Sequence, residues 1–232
     1  RVGGLAADRE FAPGFNAPVA QTLYAIPTTV IRDLRLSEYG FQPPSKTLDL
    51  IALSTQESPI RIGAEALSGA GDADAAAYPA YREQLATFKD ALAPFWSKTM
   101  PRVGDLGTSA LATFAHLGLK LRTLGRDDML EFFRVATLPM RDLVDEHFES
   151  PALKAALCWD GMVGTKMAPR SPNQAALTLL NRMAGLNGGE HSVPVGGMGG
   201  FIGVLERAAE AAGVTIRTGA PVKRTVIEGD EN

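Results

Sequence analysis

The sequence is poor in the residues from which disulfides and histidine or cysteine metal sites are built, and it has no excess of basic over acidic residues. One cysteine, Cys158, stands among 232 residues, so no intrachain disulfide is possible and a cysteine-rich metal site is excluded. Flanked by Leu157 and Trp159, that thiol reads as buried and inert rather than nucleophilic. This suits a reducing compartment, either a bacterial-type cytoplasm or an organelle interior. Histidine is scarce as well, with His116, His147 and His191. Only for His147 does the helical ligand step bring carboxylates into question, and Asp145, Glu146 and Glu149 read as a solvated helix face. No metal site is expected and no catalytic residue is assigned. The Gly-x-Ser-x-Gly, His-Glu-x-x-His and Gly-Lys-Ser/Thr patterns are missing, which removes the usual support for hydrolase and NTPase readings. A net charge of −3 supplies no basic field for nucleic acid and no polybasic patch for anionic lipid. No apolar run approaches the ~20 residues that span a bilayer.

What is present is ordinary globular composition, 45% apolar and 21% charged, in a chain long enough to bury a sizeable core. It opens on Arg1-Val2-Gly3-Gly4 without an initiator Met and closes on the turn chemistry of Gly229-Asp230-Glu231-Asn232. Both ends read as cuts through structure, so an internal piece of a longer protein is expected. Residues 1–58 are rich in Gly and Pro and read as loops and short extended pieces, with a helical turn or two around Thr28–Leu36. Ser54–Gly71 reads as a polar connection.

From Asp72 the pattern turns helical. Tyr78, Tyr81, Leu85, Phe88, Leu92 and Phe95 recur at steps of three and four, which places them on one helix face, with Pro79 near the start and the end before Pro101. Further helices are expected with inward faces Leu111, Phe114, Leu117 and Leu121, then Leu130, Phe133 and Leu138, then Leu143, Val144 and Phe148. Ser150-Pro151 opens another with Leu153 and Leu157. Ser171-Pro172-Asn173-Gln174 reads as a capping box with Pro at the first position, opening a helix with Leu177, Leu180 and Met183 and a left-handed exit at Gly185. Gly196-Gly197-Met198-Gly199-Gly200 precedes an Ala-rich helix, roughly Phe201–Ala212. The helix, Gly213 and a strand at Val214–Thr218 then read as half of a parallel crossover unit, and Gly219-Ala220-Pro221 turns the chain into a second strand, Val222–Glu228. The glycine stretch could seat an anion at a helix start, but Ile202 breaks the Gly-x-Gly-x-x-Gly spacing, and a glycine-lined entry to a closely packed helix is the plainer reading.

Arg1-Val2-Gly3-Gly4 with Phe11-Ala12-Pro13-Gly14-Phe15 forms one block. Pro194-Val195-Gly196-Gly197-Met198, the Ala-rich helix and Gly213–Val222 form a second. In this order, with Trp159-Asp160-Gly161 and Ser171-Pro172 between them, they resemble the FAD-dependent phytoene desaturase and amine oxidase superfamily. The likeness is greatest to its pyridine nucleotide-disulfide oxidoreductase domain-containing protein 2, or phytoene dehydrogenase-like, branch, and it covers nearly the whole chain.

The resemblance implies an α/β fold, in which part of a Rossmann-like FAD-binding domain (1–58 and 191–232) is split in sequence around an inserted, mainly helical substrate domain (59–190). It implies hydride transfer from a small apolar or amphipathic substrate to FAD. Arg1, Gly3 and Gly4 would face the cofactor, the glycines allowing close backbone approach and Arg1 offsetting phosphate charge, and the backbone of Val222 would hold the adenine edge. The family's dinucleotide loop and ribose carboxylate have no counterpart in these residues, and Asn16-Ala17-Pro18 stands where many relatives carry an Asp. The alternative is a flavin-free prenyl- or protein-binding module of the GDP-dissociation-inhibitor type, which shares the general architecture.

Overall fold

A computed structural model describes residues 1–20, 22, 26–44, 46–93, 95–96, 98, 104, 107–172 and 175–225. The fold is mixed α/β, mostly helical, with two small sheets. Strands β1 (Arg9–Ala12) and β2 (Phe15–Ala17) form an antiparallel hairpin over Pro13-Gly14. Helix α1 (Thr28–Asp33) and a 3-10 turn at Leu36–Tyr39 follow, as the local pattern around Thr28–Leu36 predicts. Strands β3 (Leu50–Ala52), β4 (Ile60–Ile62) and β5 (Leu67–Ser68) form an antiparallel sheet in that order. Ile60 and Ile62 point inward, while Arg61 between them pairs with Asp49 at 2.9 Å. The expected polar connection over Ser54–Gly71 therefore contains two strands. Pieces of two and three residues carry too little alternation to register as a period.

Helix α2 (Asp72–Leu92) buries Tyr78, Tyr81, Leu85, Phe88 and Leu92, and Phe95 just beyond is buried too. Its six-residue apolar face is as the spacing predicts. Pro79 lies two turns inside the helix rather than near its start, and the burial of that face offsets the backbone hydrogen bond that Pro cannot donate. The first turn is anchored from a distance. The buried Asp74 carboxylate accepts from the amides of Glu149 (2.6 Å) and Ser150 (3.0 Å).

Helices α3 (Thr108–Thr123) and α4 (Arg126–Thr137) exist as expected, but the expected inward faces hold only in part. Leu121 is buried and Leu117 and Leu138 pack on the core as expected. Leu111 is 50% exposed and Phe114, Leu130 and Phe133 also face out, whereas Ala110, Thr113, Phe132 and Val135 are buried instead. Both helices carry apolar residues on more than one face, so spacing alone could not choose which one packs. Helix α5 (Met140–His147) starts after Pro139 and buries Leu143 and Val144, with Phe148 next to it. Helix α6 (Pro151–Met162) is capped as its sequence predicts, the Ser150 hydroxyl accepting from the Leu153 amide at 3.2 Å. Helix α7 (Ala175–Met183) buries Leu180 and Met183. The capping residues Asn173 and Gln174 lie outside the described residues. Gly185 does not make the left-handed exit expected of it, which falls to Gly188 and Gly189.

Helix α8 (Gly197–Ala211) begins four residues before the expected Phe201, with the glycine stretch as its first turn. Gly213 ends it at φ 79°. The strand expected at Val214–Thr218 is not formed, nor is the part of Val222–Glu228 that falls within the described residues. Residues 213–225 are exposed, and β-branched side chains make a strand only where a neighbouring backbone completes the ladder. The parallel crossover unit is therefore absent among the described residues. Residues 226–228 lie outside them.

Two apolar clusters hold the fold. The larger joins β3 and β4 to α2 through α7. The smaller joins Leu36 and Phe41 to Met198, Phe201 and Val204 of α8, flanked by Ala6, Ile26, Ile31 and Tyr39.

Candidate functional site

The densest polar chemistry in the interior converges on His191. Asp160 lies near the end of α6, one turn from Leu157, and Arg182 sits in α7 between the buried Leu179 and Met183. Asp160, Arg182 and His191 are 8%, 7% and 9% exposed. Arg182 Nη2 donates to Asp160 Oδ2 at 2.6 Å, so the two buried charges neutralise each other with a strong charge-assisted bond. His191 Nε2 lies 2.9 Å from both Arg182 Nη1 and Asp160 Oδ1. A guanidinium only donates and a carboxylate only accepts, so the two contacts ask opposite roles of Nε2 and the tautomer sets which of them is made; Nδ1 faces Thr22 Oγ1 at 3.2 Å.

The backbone delivers His191 to this place. Gly189 has φ 77°, and a Cβ there would lie 2.6 Å from Arg182 O and from Met183 Cα. Only glycine lets the chain turn back so tightly on the end of α7. Glu190 then pairs with Arg82 of α2. The His191 carbonyl accepts from the Leu48 amide at 2.7 Å, and Ser192 makes an antiparallel bridge with Thr47. Around this node, burial above all raises the Tyr78 and Tyr81 phenols, with the charge of Asp160 adding to it for Tyr81. Both remain protonated, and Tyr78 donates to Gly63 O at 2.8 Å. A cavity of about 270 Å³ lies close by, between Thr28 at the start of α1, Lys89, Asp90 and Trp96 at the end of α2, and Asn181 and Gly185 at the end of α7. The node itself is packed in protein, which suits holding segments in place rather than meeting a substrate.

The residues expected to face a cofactor are dispersed. Arg1 is exposed, its guanidinium 3.3 Å from Ala7 O. Gly3 at φ 101° is required internally, since a Cβ would meet Ala7 Cβ at 3.0 Å and Ile202 Cγ1 of α8 at 3.1 Å. Gly4 at φ 54° has nothing within 4 Å of a Cβ, so a ligand phosphate could approach it unobstructed, while the Arg1 guanidinium is turned to Ala7 O. Val222 is 84% exposed in the segment after α8. In the first turn of α8, a Cβ on Gly199 would collide with the Asp8 carboxylate. The chain's own anion thus lies against the helix start that could have seated a ligand's, a favourable place for it.

Two mammalian proteins are similar to the chain from end to end. Pyridine nucleotide-disulfide oxidoreductase domain-containing protein 2 of Rattus norvegicus and the protein of the same name from Mus musculus are each 27% identical to it over 252 residues. The match takes in 99% of this chain and 43% of each of theirs, so the chain spans less than half the length of the curated relatives it matches. No protein-family model and no solved structure matches. The name of these two proteins agrees with the branch that the sequence resembles and supports an oxidoreductase family. It says nothing of phytoene or amines.

His191 drew no role from local sequence because its partners stand 9, 31 and 169 positions away. A weaker signal was there: Asp160 and Arg182 fall where helix periodicity calls for apolar residues. Cys158 is buried, and burial pushes its thiol up to about 11, in line with the inert reading. His147 is held below the usual imidazole range, chiefly by burial, and packs edge-on to Tyr81 at 5.2 Å.

Proposed function

We propose that the chain is part of an FAD-dependent oxidoreductase that moves a hydride from a small apolar or amphipathic substrate to flavin. The observation that carries this reading is the similarity to the rat protein, which runs through 99% of the chain. It agrees with the ordered blocks at both ends that resemble the phytoene desaturase and amine oxidase superfamily. In this reading residues 1–58 and 191–232 belong to a Rossmann-like cofactor domain and residues 59–190 to a helical substrate domain. The two apolar clusters support the outline of that division, because α8 packs with the segment up to Phe41 while α2 through α7 pack with one another; β3 (Leu50–Ala52), counted in the first segment, packs with the helices.

FAD, when bound, supplies the hydride acceptor; the protein supplies orientation and exclusion of water. Arg1 and the backbone at Gly4 would carry phosphate contacts, and Val222 an adenine contact. Gly3 acts one step back, letting the segment settle on α8. The test is to read the coding sequence on both sides, purify the protein that contains these residues, and record its absorbance. A yellow protein with near-stoichiometric FAD that loses flavin in Gly4→Val supports the reading. A colourless protein that takes up no FAD refutes it.

A further inference from the structure

The two apolar clusters are joined by two stretches of chain, one between Phe41 and Leu50 and one between Met183 and Met198. These crossings run against each other. Leu48 N donates to His191 O at 2.7 Å, and Thr47 and Ser192 form an antiparallel bridge. Two adjacent connections between two cores make a hinge, whose few residues can absorb a rotation while both cores stay packed. The His191 node sits on this pair. Its side chain reaches Asp160 on α6 and Arg182 on α7 of the larger cluster. Its Nδ1 meets Thr22, four residues before Ile26 of the smaller. The preceding residue, Glu190, is bound to Arg82 on α2. The 270 Å³ cavity lies across the same seam, with Thr28 and Thr29 on one wall and Lys89, Trp96 and Asn181 on the other.

We propose that residues 47–48 and 191–192 form a two-stranded hinge between the clusters, and that Glu190 and His191 are the clasp that holds it shut over this cavity. The physical case rests on cost. Burying Asp160 with Arg182 adds little net stability over apolar residues of the same size, so what the arrangement supplies is a defined geometry. Four side-chain contacts from two successive residues fix the returning chain to three helices and to Thr22. A packed core has few intermediate arrangements, so loss of the clasp releases the hinge as a unit. Motion of the two clusters then widens or closes the seam, a common location for ligand sites. None of this depends on flavin.

The experiment uses the full chain labelled at two exposed positions, Ala115→Cys on α3 and Glu210→Cys on α8, with the buried Cys158 left in place. Pulsed dipolar spectroscopy should give one narrow distance distribution. His191→Ala should broaden or shift it and speed amide exchange at Leu48 about tenfold or more, the size of one lost hydrogen-bonded contact. Exchange at Tyr81, Leu85 and Phe88 should be unchanged. Glu190→Gln, which keeps size and removes charge, should act in the same direction more weakly, and covers the case in which His191→Ala fails to fold. The proposal is overturned by a distribution already broad before mutation, by one that neither variant changes, or by accelerated exchange spread equally through α2, which would make His191 an ordinary core residue.

Discussion

Replacing Asp160 by Asn isolates the electrostatics of the node. The substitution keeps size and shape but leaves the Arg182 guanidinium, 7% exposed, without its counter-charge. Breaking a buried pair by removing one partner costs about 3–5 kcal/mol. For a chain of this length, at roughly 2–4 °C per kcal/mol, the melting temperature should fall by about 6–20 °C. The informative comparison is the double variant Asp160→Leu with Arg182→Met. It removes both charges and leaves His191 Nε2 without its two polar partners, a loss of about 1–3 kcal/mol. The double variant should therefore be more stable than Asp160→Asn alone. Circular dichroism at 222 nm against temperature and urea measures both. If Asp160→Asn costs less than about 1 kcal/mol, or if the double variant is the less stable, Asp160 is not compensating a buried cation and the reading of the node fails.

Other outcomes follow from single contacts. Gly199→Ala should raise stability by up to about 1 kcal/mol, because the Asp8 carboxylate that its Cβ meets is the end of an exposed side chain and can turn aside; a lower denaturant midpoint in the variant would show that Asp8 is held in place. The 232 residues by themselves should retain little FAD after desalting, because they contain no Gly-x-Gly-x-x-Gly loop to meet the pyrophosphate; retained flavin absorbance near stoichiometry would show that the nucleotide site lies elsewhere. Burial raises the Cys158 thiol from 9.0 to about 11, so the folded state favours the protonated thiol. That stabilisation is fully present below pH 9 and is lost as pH climbs through about 11. Cys158→Ala should flatten this part of an alkaline stability curve, and a thiol reagent at pH 8 should leave native Cys158 largely unlabelled.

Local chemistry was legible wherever one run of residues carried both signal and partner. The apolar face from Tyr78 to Phe95 is a period contained in one helix and its flank, and Ser150-Pro151 satisfies an amide three residues away. Both hold in the fold. Helices α3 and α4 show the boundary of this logic: their existence follows from composition, but the faces bearing Ala110 and Val135 were chosen by α2 and α7, which lie far off in sequence. The expected strand at Val214–Thr218 shows the same boundary for sheets, since strand propensity says a segment fits a ladder and cannot provide one. The glycine stretch that opens α8 has a neighbour the local sequence hid, because the side chain against Gly199 is Asp8, nearly two hundred positions away.

The sequence by itself determined the helices, the Ser150 cap, the inertness of Cys158 and the likeness at both ends, because each depends on side chains within a few residues or on the order of short blocks. The tertiary structure alone decided that Asp160, Arg182, His191, Thr22 and Glu190 would meet, and that two separate stretches of chain would pair beneath them. Three of these residues are charged at neutral pH, and in sequence such residues read as solvated surface. Burial makes them a node, and burial is a property of the neighbours that enclose a residue rather than of the residue itself.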